Sequence, residues 1–245
     1  MEDGWKEDKG FKTQNIILFY MNSLLKNNFL IERPVLLDKI MSIENRVHEK
    51  NKDNYIKWVG IIEAYEALGI NAKALLEVGC GVGSLCIYFK KSIPIVIGVD
   101  PAPHFDPHKA DYYQKGITNY VSNGVTYIDK DILDVDIPYN SMDVVIDSCA
   151  MGCGIVGDKK EKTIEKIYNI LIPGGYFITV GDTCLTVTDS KEQFMSPATW
   201  IKAANKYKLK LVGEYSEVSD NIFTSTYGVY TLNIVRLVFQ KPFTI

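Results

Sequence analysis

The chain has 245 residues, 47% of them hydrophobic, with 27 Lys and Arg against 30 Asp and Glu. That length fits one large domain or a domain with an appendage, and a formal net charge of −3 leaves no basic footprint for an extended nucleic-acid surface. Five cysteines form no C-x-x-C pair, which fits reduced thiols in the cytoplasm better than a disulfide framework. Met1 to Lys12 is polar and mixed in charge, unlike a secretory leader. The run from Ile16 to Leu25 is too short to span a bilayer. Residues before Lys73 have helical periodicity. Ile17, Leu18, Met21, Leu24 and Leu25 form one stripe, and Leu36, Leu37, Ile40, Ile43 and Val47 a second, after Pro34 at a helix start. A third helix, capped by Asp53 and closed by Gly69, carries Tyr55, Trp58, Val59 and Ile62. Residues 1–52 are expected to be a helical extension, serving either as padding on a sheet or as a lid with Tyr20, Tyr55 or Trp58 in its wall. Residues 53–245 are expected to be the main domain.

The stretch Lys73-Ala-Leu-Leu-Glu-Val-Gly-Cys-Gly-Val-Gly-Ser-Leu-Cys86 reads as a buried strand, a glycine turn and the first turn of a helix. Without Cβ atoms, Gly79, Gly81 and Gly83 let a ligand approach the backbone closely, and the helix start aims free N–H groups at it. A dinucleotide site wants G-x-G-x-x-G; here the third glycine comes one place early and Ser84 follows it. Glu77, two residues before the first glycine, would repel a pyrophosphate and suits a ligand with an ammonium group instead.

A second buried strand, Ile93 to Asp100, ends on an acidic residue about 20 positions beyond the glycines, where such a carboxylate can take both ribose hydroxyls. His104 and His108 follow, on a segment leaving the carboxyl end of that strand. They are either exposed loop residues or candidate general bases. Val125 to Ile132 reads as a third strand and its exit, with Asp129 and Asp131 close together. Asp143 to Asp147 enters and ends a fourth strand, followed by the tight corner Ser148-Cys-Ala-Met-Gly-Cys-Gly154. Cys149 and Cys153 lack a nearby His and make a poor metal site. An amphipathic helix over Asp158–Leu171 points Ile164, Ile167, Ile170 and Leu171 inward. Ile172 to Val180 gives a turn and a fifth strand, Ser196-Pro197 opens a helix to about Tyr207, and Leu209–Val218 and Val229–Gln240 are strand-like.

Glu77-Val-Gly-Cys-Gly-Val-Gly83 closely resembles motif I of the class I S-adenosylmethionine-dependent methyltransferases. Asp100, Asp131, the Ile137-Pro-x-x-x-x-Asp-Val-Val145 connection and the Pro173-Gly-Gly175 turn extend the resemblance, which spans roughly Asp53 to Phe243. It implies an α/β fold: a Rossmann-like, seven-stranded, mostly parallel sheet with an antiparallel C-terminal strand and helices on both faces. It implies S-adenosyl-L-methionine as cofactor, held by Glu77, Gly79, Cys80, Gly81, Gly83, Asp100, Asp131, Ile132 and Asp147. Asp131 would meet the adenine amino group beside the Ile132 N–H. The corner after the fourth strand would face the methyl group and its acceptor.

The reaction expected is transfer to a hydroxyl or amine of a small polar metabolite, a sugar or sugar conjugate among the candidates. His104 or His108 is the first candidate base and Asp147 the second; no metal is expected. Alternatives stay open: Mg²⁺ held by Asp147 and Asp182, an RNA or protein acceptor, or a cofactor-binding subunit without turnover. The sequence leaves the oligomeric state undetermined.

Overall fold

In the computed structural model the described residues are 52–81, 83–101, 118, 121–148, 150–153, 158–184, 197–225 and 228–243. The first two helical stripes, His104, His108 and Cys149 lie outside them. The element order is α1 (Lys52–Leu68), β1 (Ala74–Val78), α2 (Ser84–Lys90), β2 (Ile95–Val99), β3 (Thr126–Ile128), a 3₁₀ turn (Ile132–Asp134), β4 (Met142–Ser148), α3 (Ala150–Cys153), α4 (Lys159–Ile170), β5 (Leu171–Cys184), α5 (Pro197–Lys206), β6 (Lys210–Ser225) and β7 (Gly228–Gln240). The seven strands form one sheet in the order β3-β2-β1-β4-β5-β7-β6. β1 to β5 pair in parallel, while β7 runs antiparallel between β5 and β6. This is the expected Rossmann-like sheet with its reversed last strand.

The sheet is buried on both faces, as a parallel sheet must be. All five residues of β1 are buried. Alternation sends Leu75 to the face covered by α1 and α2, with Val59, Ile62, Leu85 and Phe89. It sends Leu76 and Val78 to the face covered by α4 and α5, with Ile164, Ile167, Trp200 and Ala204. α1 is fixed to the far end of the chain by a buried ion pair, Arg236 to Glu63 at 2.6 Å. Gly60 leaves room for it, since a Cβ there would collide with the Arg236 guanidinium.

Several boundaries differ from expectation for local reasons. Asp53 lies within α1 as far as that helix is described, from Lys52 onward. β3 is only three residues long, because the Asp131 side chain accepts the Leu133 N–H at 3.0 Å and turns the chain into a 3₁₀ turn. Leu171 is buried but begins β5, not the end of α4. β6 does not stop at Val218; a register shift between Val218 and Ile222 absorbs the polar residues between them, and pairing resumes to Ser225.

The sheet has a step at its carboxyl edge. β4 stops pairing with β5 at Ser148–Val180. β5 continues to Cys184 against β7, and β6 and β7 pair on to Ser225–Gly228. The step rises beside the strand ends where open α/β sheets bind ligands.

Candidate active site

The carboxyl ends of β1, β2 and β4 lie side by side: Val78 pairs with Val99 on one side and with Asp147 on the other. Each strand brings a carboxylate there. Glu77 is 2%, Asp100 7% and Asp147 0% exposed. Between them runs the glycine turn. The N–H groups of Gly79 and Cys80 both donate to the Val99 carbonyl, at 2.8 and 3.2 Å, and the Gly83 N–H to the Cys80 carbonyl at 2.8 Å. Gly79, Gly81 and Gly83 have φ of 67°, 53° and 68°, a region that L side chains rarely adopt. At Gly79 sterics add to the conformational demand, because a Cβ would collide with that of Ala150 at the start of α3. The turn after β1 and the corner after β4 therefore touch.

Asp100 is a working part of the turn. Its Oδ2 accepts the Gly81 N–H at 2.5 Å, and its own carbonyl accepts the Tyr127 hydroxyl at 2.8 Å, which joins β2 to β3. Cys80 is buried, so its place in the site comes through its backbone in the turn. Glu77 accepts the Cys86 thiol at 3.0 Å. Burial, reinforced by the nearby Asp100 and Asp147, pushes its carboxyl up to about 8. Burial raises the Cys86 thiol well above its usual value as well. Asp131, at the exit of β3, caps the 3₁₀ turn with Oδ1 and faces Lys159 with Oδ2 at 3.4 Å. Ile132 beside it is buried.

Asp147 is wholly enclosed. Its Oδ1 accepts the Met151 N–H at 3.2 Å and its Oδ2 the Thr179 hydroxyl at 2.8 Å. Burial is the main cause that lifts its carboxyl to about 6. In this arrangement it organises the corner that carries Ala150. Among the described residues no group of three or more His, Cys, Asp or Glu could hold a metal ion, and no helix is long and apolar enough to cross a membrane.

The structure thus brings Glu77, Gly79, Cys80, Gly81, Gly83, Asp100 and Asp147 to one place, with Asp131 and Ile132 at the neighbouring strand exit. Cys86, Tyr127, Ala150, Lys159 and Thr179 were not anticipated as members. The sequence carried no signal of their partners; the structure places two of them by geometry. Cys86 falls on the first turns of the helix after the motif, and Thr179 sits on β5 opposite Asp147 in register.

The family described as "Methyltransferase domain" matches residues 76–179, which hold the turn, Asp100, Asp131 and the β4 corner. That segment, from β1 to β5, is similar to the S-adenosylmethionine-dependent methyltransferases. No curated protein matches this chain. Its fold is similar to that of a provisionally assigned methyltransferase from Bacillus halodurans C-125, with a TM-score of 0.58, 11% identity, and coverage of 74% of this chain and 98% of the other. It is also similar to the N-methyltransferase NodS of Bradyrhizobium japonicum WM9, with a TM-score of 0.57, 12% identity and coverage of 79% and 99%. The [4+2]-cyclase SpnF shares the fold, with a TM-score of 0.52, 14% identity and coverage of 71% and 76%. At these identities the likenesses describe the fold and leave the acceptor to be argued from the site.

Proposed function

We propose that this chain is a class I methyltransferase, binding S-adenosyl-L-methionine across the carboxyl ends of β1, β2 and β3 and passing its methyl group to a hydroxyl or amine of a small polar metabolite. One observation carries the cofactor reading: Asp100 reaches back to hold the Gly81 N–H, so the ribose-binding carboxylate and the glycine turn form one unit. The residues fit the ligand. Glu77 suits its ammonium group, the glycine backbone leaves space for its body, Asp100 suits the ribose hydroxyls, and the exposed side of Asp131 suits the adenine amine. Bound there, the cofactor supplies an electrophilic methyl group for in-line displacement. The chain's own contribution is alignment and exclusion of water.

Proton removal from a hydroxyl acceptor is assigned to His104 or His108, on the segment leaving the end of β2. Asp147 is the weaker candidate, since its two oxygens already accept bonds from Met151 and Thr179 in a closed environment. The same closure weighs against Asp147 as half of a Mg²⁺ site. Sugars and sugar conjugates head the list of acceptors to try, and amines stand beside them because NodS, of similar fold, is an N-methyltransferase.

Calorimetry with S-adenosylmethionine tests the first half: binding in the micromolar range is expected, and tighter binding of NAD(H) would overturn it. Mass spectrometry of a metabolite panel incubated with cofactor tests the second. Transfer to a hydroxyl is expected to survive excess EDTA and to rise with pH through an apparent pKa of about 6–7, the histidine range. Activity lost to EDTA and restored by Mg²⁺ would reverse the assignment.

A further inference from the structure

Glu77 ends β1 inside the protein, and its surroundings are unusual for a carboxylate. Its hydrogen bonds come from Cys86 of α2, from the thiol at 3.0 Å and from the backbone N–H; both are neutral donors, the thiol a weak one, and neither is a cation. In the glycine turn, Cys80 lies beside Cys86: a Cβ built on Gly98 would stand 2.7 Å from the Cys80 sulfur and 3.1 Å from the Cys86 sulfur. At the ends of the flanking strands are Asp100 and Asp147, both enclosed. α1, on the same face, contributes Glu63 with its partner Arg236 over β7. Lys160 of α4 acts electrostatically on Asp147.

Three carboxylates, each less than a tenth exposed, thus close three neighbouring parallel strands. Like charges in a low-dielectric setting cannot all ionise, and the group with the weakest compensation keeps its proton. Asp100 has the Gly81 N–H and Asp147 has the Met151 N–H and Thr179 hydroxyl. Glu77 has the Cys86 N–H and a weakly donating thiol, with an enclosed acid on either side. Its raised carboxyl agrees with that ranking.

We propose that Glu77 releases its proton to solvent when a ligand ammonium group docks at the glycine turn, with Cys86 as the positioning residue that holds the carboxylate for the exchange. This rests on the cofactor reading above. The step balances simply. The neutral carboxyl becomes a carboxylate, its proton goes to buffer, the ligand ammonium keeps its three protons, and the Cys86 thiol stays intact and donates to the new charge. Cofactor affinity then tightens with rising pH, by up to about tenfold per pH unit while one proton leaves per ligand, and levels off above the Glu77 range.

Titration calorimetry on the full chain, repeated in buffers of different ionisation enthalpy, counts the protons released. The probes are S-adenosylmethionine, S-adenosylhomocysteine and 5′-methylthioadenosine, the last carrying the nucleoside but no ammonium group. About one proton per ligand is expected near pH 7 for the first two, falling towards zero by roughly pH 9, and none for the third. Glu77→Gln should abolish the release. Cys86→Ala removes a donor that favours the carboxylate and should move the release to higher pH, while Cys86→Ser should restore it towards the parent profile. The Cys86 variants carry the test if Glu77→Gln fails to fold. Binding of S-adenosylmethionine without proton release, or release with 5′-methylthioadenosine, overturns the inference. A Cys86→Ala profile identical to the parent removes Cys86 from it. A chain that binds none of the three overturns the cofactor reading and this inference with it.

Discussion

Asp100 serves the backbone and the proposed ligand with one carboxylate, which makes it the most informative single residue of the site. Asp100→Ala frees the Gly81 N–H and removes the ribose partner. It is expected to weaken S-adenosylmethionine binding by roughly 2 kcal/mol or more, as for lost bonds to a charged acceptor, in a calorimetric titration. Unchanged affinity would reduce Asp100 to a turn cap. Gly79→Ala separates two costs. The positive φ costs about 1–2 kcal/mol for any L side chain, and the collision with Ala150 adds to it. Ala150→Gly in the same chain should recover the second part only, read as a partial return of the urea midpoint. The enclosed acids make stability depend on pH. Glu77 and Asp147 both hold protons in the native state that the unfolded chain gives up, with native values of about 8 and about 6 against 4.5 and 3.8. Their contribution is complete below the unfolded values and declines as pH rises towards the native ones, by at most about 1.4 kcal/mol per pH unit for each group. The urea midpoint of the ligand-free protein should therefore fall from pH 5 to pH 8, and a rise would contradict the protonated state of Glu77. At this scale the sequence was legible where spacing carries meaning. Glu77, the glycines and Asp100 were placed by their distances along the chain. The bond from Cys86 to Glu77 was not, because it depends on how α2 winds back over β1, and a lone buried thiol in a sequence has no signature of its partner.

The strands were legible as elements because parallel strands buried on both faces are continuous apolar runs, and β1 lies where Ala74 to Val78 marks it. The misplaced boundaries share a cause. A side chain competing for a backbone N–H at Asp131, and an irregularity that swallows polar residues between Val218 and Ile222, do not alter composition enough to show in a pattern. The pairing of α1 with β7 was invisible for another reason: Glu63 and Arg236 are 173 positions apart. That bridge is enclosed, so its two halves are unequal to remove together and apart. Arg236→Met strands a carboxylate in the core and should cost about 3–5 kcal/mol in urea denaturation, whereas adding Glu63→Leu should return much of the loss. Gly60→Ala presses a methyl group against the Arg236 guanidinium and should cost about 1–3 kcal/mol. No loss in either single variant would show that the helix is held by apolar packing alone.

Across the whole molecule, every described group of the proposed cofactor site comes from residue 77 onward, while the step at the carboxyl edge rises on the β5 side of it. We expect the residues before Lys52 to serve the acceptor and not the cofactor. Removing Met1 to Asn51 is expected to leave cofactor affinity within about twofold of the parent and to abolish transfer to an acceptor once one is known. Loss of cofactor binding in a folded truncation would place that segment in the cofactor site instead. The acceptor itself was not legible, and for a physical reason: the sheet and its glycine turn answer to the shared chemistry of the cofactor, whereas the mouth answers to a molecule whose shape no backbone rule encodes.

The position of β7 between β5 and β6 also governs the order in which the protein can be made. β7 follows the other six strands in the chain, and the arginine that secures the first described helix travels with it. At about 5–20 residues per second, α1 leaves the ribosome on the order of ten seconds before Arg236 exists. Throughout that interval the face destined for α1 lacks its anchor, and once β5 is made its edge has no partner for its N–H and C=O groups until β7 follows. A chain truncated before Gly228 is therefore expected to expose the β5 edge and to aggregate more readily than the full chain.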